Sequence, residues 1–217
     1  MKKTALFLCL SLVSFVQAQN LLPQGKNSQE IVPAGWDKIE AQGDLNQDGK
    51  TDLVIFAKPN FKENMKKRDD GFVYNFNQGI LAIYFGQNDG TFKLWKQYKD
   101  LIKPNDEYMT VEVDIKINSK GSLIIDIDPF MSAGGYANDS FKYTYRYQNN
   151  DFYLIGKEES TLHRATGEEE TVSENYLTWK KLIIDDNAFE EGKRREKWHK
   201  LNKKPLEKLG EKVLYID

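Results

Sequence analysis

Apolar and polar residues alternate along most of this chain, and a spacing of two marks strands with one buried face. Val111, Val113, Ile115 and Ile117 alternate with Glu112, Asp114, Lys116 and Asn118, and Phe141, Tyr143, Tyr145 and Tyr147 with Lys142, Thr144 and Arg146. Further strands are predicted at 36–41, 53–57, 80–85 and 92–95, the last two joined by the turn Gln87-Asn88-Asp89-Gly90. A strand at 152–155 pairs with the tyrosine-rich one through Gln148-Asn149-Asn150-Asp151. Such short connections join antiparallel neighbours. The expected fold is therefore all-β, mainly an antiparallel meander with few or short helices. Residues 59–71 and 166–170, rich in lysine, glycine and acid, read as surface loops. The charged stretch 190–217 reads as a C-terminal extension, a solvated strand or helix that docks Trp198 and Leu201.

Register adds a chemical consequence. Pairing 111–118 with 122–128 across Ser119-Lys120-Gly121 sets Ile117 opposite Leu123, Ile115 opposite Ile125 and Val113 opposite Ile127, a wholly apolar face. The other face then sets Asp114 opposite Asp126 and Glu112 opposite Asp128, and directly opposed like charges destabilise a sheet. Lys116, Lys120, a bound cation or a proton on one carboxylate has to compensate. A retained proton would make a general acid, and opposed Cβ atoms about 4.5–5.5 Å apart permit the roughly 5 Å carboxyl spacing of retaining glycosidases. These four acids form a possible second site; the plain alternative is a solvated strand face.

The densest chemistry lies in Asp44-Leu45-Asn46-Gln47-Asp48-Gly49-Lys50-Thr51-Asp52, where oxygen side chains recur at every second residue around a glycine. Calcium takes about six to eight oxygen ligands at roughly 2.3–2.6 Å. Asp44, Asn46, Asp48 and Asp52 offer side-chain oxygens and Lys50 its carbonyl, so the expected cofactor is Ca2+. Position twelve is Ile55, where an EF-hand needs a bidentate glutamate, and 53–56 enters a strand, so the loop joins two strands. A hydrophilic turn alone would account for Asn46-Gln47-Asp48-Gly49 but has no need of Asp52. Calcium caged by protein oxygens leaves no position for an activated water. The metal is expected to organise the hairpin, and no catalytic residue is assigned.

Composition narrows the setting. Residues 1–18 join Lys2 and Lys3 to an apolar run at 5–16 and small residues up to Ala18, the pattern of a signal peptide cut after Ala18. The run is shorter than the roughly 20 apolar residues of a membrane span. The expected product is a secreted or periplasmic β-rich domain at 19–217 with no integral membrane segment. Cys9, the single cysteine, leaves with the signal, so no disulfide is expected even in an oxidising compartment. Without Lys2 and Lys3, 29 of the 31 basic residues remain against 33 acidic ones, a net charge of −4. Phosphate binding needs clustered positive charge, and glutamates dilute the run at Lys193-Arg194-Arg195, so nucleic acid is not expected as a partner. His163 and His199 read as surface residues, and Gly134-Gly135-Tyr136 as a turn rather than a phosphate loop. Aromatic residues in strands serve core packing or a carbohydrate platform.

With Gly43 before the loop and Asp52-Leu53 after it, the hairpin resembles the calcium hairpin of the FG-GAP/VCBS repeat of integrin-type propeller blades. Phe85-Gly86-Gln87-Asn88-Asp89-Gly90-Thr91-Phe92 is similar to the second hallmark of that repeat, and the two span 36–95. The sequence holds no further copy, whereas a propeller is built from several blades. Most of the chain also resembles a group of secreted bacterial proteins with one such hairpin. Gly134-Gly135, the strands at 141–147 and 152–156, Asn175-Tyr176-Leu177-Thr178 and Lys203-Lys204-Pro205-Leu206 carry the likeness. It implies a shared fold and no particular activity.

Two function classes follow. One is a secreted, calcium-stabilised β-module that binds a protein or glycan ligand; an inhibitor or protective partner of another secreted protein is not separable from it by sequence. The other is a glycan-directed hydrolase using Asp114 and Asp126 together with Glu112 and Asp128.

Overall fold

The computed structural model describes residues 20–131 and 135–215. The expected signal peptide and Gly134 of the glycine pair lie outside the described residues. A first sheet is built from β1 (Gln24–Gly25), β2 (Asp37–Gly43), β3 (Asp52–Lys58), β6 (Ile80–Gly86) and β7 (Phe92–Tyr98), with the one-turn helix α1 (Ser28–Ile31) after β1. Its order is β1-β7-β6-β3-β2, all antiparallel, and β4 (Met65–Lys67) with β5 (Val73–Asn75) forms a separate hairpin between β3 and β6. The second sheet runs β8 (Met109–Ile117), β9 (Ser122–Met131), β10 (Ala137–Gln148), β11 (Asp151–His163), β12 (Glu168–Asn175), β13 (Lys180–Asn187) and β14 (Arg195–Lys200). Each strand pairs with its successor, and the sheet curls into an open half-barrel. The fold is all-β, as the alternation predicts.

Two cores explain why β3 and β6 are apolar at almost every position. Strands covered on both faces lose the polar half of the pattern. Leu53, Ile55, Ala82 and Tyr84 pack on Leu21, Ile31 and Val32 of the N-terminal segment, whereas Val54, Phe56, Leu81 and Ile83 face Ile115, Ile125 and Tyr145 of the second sheet. The β8–β9 pairing has the expected register, with Ile115 opposite Ile125 and Asp114 opposite Asp126.

Several loop and edge readings need correction. Residues 59–71 hold a 3-10 turn (Lys62–Asn64) and strand β4, and Glu168, Glu169 and Glu170 open β12 instead of continuing a loop, because they pair with Asn187, Asp186 and Asp185. Strand β14 is solvated as expected, yet it docks no tryptophan. Trp198 is 64% exposed, since β14 is the last strand of its sheet and all six of its residues face water. Charge on such an edge opposes pairing with another chain.

The stretch after β14 is charged in composition yet buries two of its leucines. Residues 201–215 cross back as a strap: the Leu209 N–H donates to the Phe152 carbonyl (2.9 Å) and the Leu214 N–H to the Leu101 carbonyl (2.8 Å). Leu209 and Leu214 are buried in the intersheet core. Leu209→Ala should therefore lower unfolding free energy by about 2–5 kcal/mol, read as a lower midpoint in urea at unchanged slope.

Candidate metal centre

The loop at 44–51 is closed by the Gly43–Asp52 pair that ends β2 and begins β3. Its bend needs two left-handed residues, Gln47 (φ 61°) and Gly49 (φ 81°), the second of which suits glycine. Short polar side chains then fold back on the main chain. The Asp48 N–H donates to Asp44 Oδ1 (3.2 Å) and Asn46 Oδ1 (3.0 Å), and the Gly49 N–H to Asp44 Oδ2 (2.9 Å). Asp44, Asn46 and Asp48 thus gather at one bend. Lys50 brings a cation of its own: its ammonium lies 2.9 Å from Asp48 Oδ2 and holds the Asp48 carboxyl below the usual carboxylate range.

Asp52 takes a different part from the other oxygens of the expected ligand set. Its carboxylate is fully buried, with Oδ2 accepting the N–H of Leu45 (2.8 Å) and of Asn46 (3.4 Å), and Oδ1 accepting the N–H of Gly86 (2.9 Å). Burial pushes its pKa up, against the pull of these amides. Among the described residues no three His, Cys, Asp or Glu side chains converge as a metal cluster. What the bend offers is the side-chain oxygens of Asp44, Asn46 and Asp48, and oxygen donors are the kind that suit a hard cation such as Ca2+.

Glycines on two other elements make room for this loop. A Cβ on Gly86 would collide with the Thr51 carbonyl, and one on Gly121 (φ 70°) with the Asp44 carbonyl. The Phe85-Gly86 end of β6 and the β8–β9 turn therefore both abut the loop. The sequence places Gly121 in the loop that joins β8 and β9 and carries no signal of this second duty, which depends on a loop distant in sequence.

Residues 40–76 match the FG-GAP repeat. The FG-GAP match runs from β2 through the loop and β3 to the end of the β4–β5 hairpin region, and Phe85-Gly86, beyond it, grips the loop through Asp52. Comparison with curated proteins gives no match, and neither does comparison with solved structures.

The second acidic group sits in the β8–β9 hairpin next to the FG-GAP loop. Lys116 supplies the compensation between opposed aspartates, 2.7 Å from Asp114 Oδ2 and 3.3 Å from Asp126 Oδ2. Asp114 is held low by that ammonium, while Asp128 is pushed up by burial and then by Asp126 and Glu112. The face is hollow. Glu112, Asp128, Ser140, Ser160 and Thr171, from five adjacent strands, line a depression of about 560 Å3, and Asp114 and Asp126 a neighbouring one of about 370 Å3.

Asp52→Asn should destabilise by about 1–3 kcal/mol, because the amide presents N–H where a buried main-chain N–H already points; chemical denaturation measures it. Asp128→Asn should raise the melting temperature at pH 7, where the raised pKa marks a charge that folding disfavours. Protonation below about pH 4 removes that charge in wild type, so the gain should vanish there in a pH series of thermal melts.

Proposed function

We propose that this protein is an exported, calcium-organised β-domain that works by binding a protein or glycan ligand. The observation that carries this reading is the gathering of the Asp44, Asn46 and Asp48 side chains on one bend inside the FG-GAP match at 40–76. A bound Ca2+ would offset the carboxylates of Asp44 and Asp48 and tie the bend together. Asp52 holds the same bend from beneath, so the chain's own contribution is a prefolded oxygen cradle. Export to a periplasm or to the medium rests on the pattern of residues 1–18, and the net acidic charge gives no footing for nucleic acid. Among the described residues no helix is long and apolar enough to cross a membrane.

A hydrolase reading has one observation in its favour, the hollow beside Glu112 and Asp128. It would place the proton on Asp128, whose pKa is raised, rather than on Asp114, which Lys116 keeps ionised. Loss of reducing-end release from polysaccharides in Asp128→Asn would support it.

Calcium tests the first reading. At a hundredfold excess over Kd a ligand stabilises by about 2.7 kcal/mol, which for a chain of this size is roughly 5–10 °C in Tm. Calcium chloride should raise the melting temperature of chelator-treated protein by that order, and Asp48→Ala should abolish the gain. An identical melt with and without calcium would refute the proposal.

A further inference from the structure

Beneath the strap at 201–215 lies a cavity of about 490 Å3, a size typical of small-molecule sites, which span about 300–1,000 Å3. Its lining is basic. Lys157 of β11 and Lys204, Lys208 and Lys212 of the strap stand against two carboxylates, Glu174 and Glu207. Both of those acids are already engaged. Glu207 is shared by Lys204 (3.4 Å) and Lys212 (2.8 Å), and Glu174 accepts a hydrogen bond from the Tyr176 hydroxyl (2.5 Å).

The other two lysines are paired from outside the lining. Lys208 meets Asp151 at 3.0 Å and Lys157 meets Glu159, and neither acid lines the cavity. Glu207 registers the excess on the strap side, where Lys212 and then Lys204 hold its carboxyl below the usual range. An ammonium carries three donors, so Lys204 and Lys212 can bridge a second carboxylate beside Glu207. Tyr145, 3% exposed, adds a hydroxyl that burial keeps protonated and hence able to donate. Leu154, Val213, Leu214 and the tyrosine rings give the same cavity apolar walls.

We infer that the cavity between β10–β12 and the 201–215 strap binds a small organic anion, a carboxylate on an apolar body, with Lys204 and Lys212 taking the carboxylate. The lysines select the charge and the leucine and tyrosine walls select the body; an inorganic anion meets only the first demand. This ligand lies beyond the protein or glycan proposed above. The site is separate from the metal loop, so its test reads the same in calcium and in chelator, and either proposal can fail alone.

The test is calorimetric titration of the full chain with benzoate, hexanoate, benzamide and inorganic phosphate, in wild type and Lys204→Gln. At least one of the two carboxylates should saturate in wild type, and benzamide, the uncharged counterpart of benzoate, should bind far more weakly. Lys204→Gln should weaken carboxylate binding about tenfold, the worth of one hydrogen bond to a charged group. Glu207 keeps Lys212 in that variant and an exposed ion pair adds little to stability, so it should melt close to wild type. Four results overturn the inference: no saturation by either carboxylate, benzamide binding as well as benzoate, saturation by phosphate alone, or unchanged carboxylate affinity in Lys204→Gln.

Discussion

One buried carboxylate ties the β2–β3 loop to the end of β6. Asp52 collects the N–H groups of Leu45 and Asn46 from the loop and of Gly86 from the end of β6. An ion this deep is tolerated only when its oxygens are hydrogen-bonded, and here main-chain amides do that work. The arrangement fixes where β2 turns into β3, and hence the register in which β3 enters the middle of its sheet. It also sets the loop against Gly121, so the β8–β9 turn is located by the same contact.

Around that anchor, packing divides the first sheet's labour. One face of β3 and β6 closes on the N-terminal segment, and the other forms the common core with the half-barrel. The hairpin β8–β9 then has an apolar face it must bury and a charged face it must leave open. Lys116 settles the Asp114–Asp126 opposition, while the Glu112–Asp128 opposition persists at the rim of the hollow. Charge of this kind raises the cost of folding and is kept where solvent reaches it.

Much of this was legible in residue order. The β8–β9 register followed from alternation alone, because a slip of one position would turn Leu123, Ile125 and Ile127 outward. The fold-back of Asp44, Asn46 and Asp48 followed from short acceptors spaced around a glycine. Asp52 misled, since spacing places it among the loop oxygens and only the approach of β6, distant in sequence, shows what its carboxylate faces. Trp198 misled for the converse reason: hydrophobicity predicts burial, yet β14 is the last strand of its sheet and is exposed at all six positions. The strap was hidden by its lysines, which surround Leu209 and Leu214 so closely that composition reads as solvent-exposed throughout.

Strand β14 ends a seven-stranded ladder with main-chain groups directed at water. Arg195, Glu196, Lys197 and Lys200 crowd its six positions. Stacking a second copy there would confine several ammonium and guanidinium groups within a few ångströms of each other. The half-barrel thus ends on a strand whose own charge works against fibrillar growth.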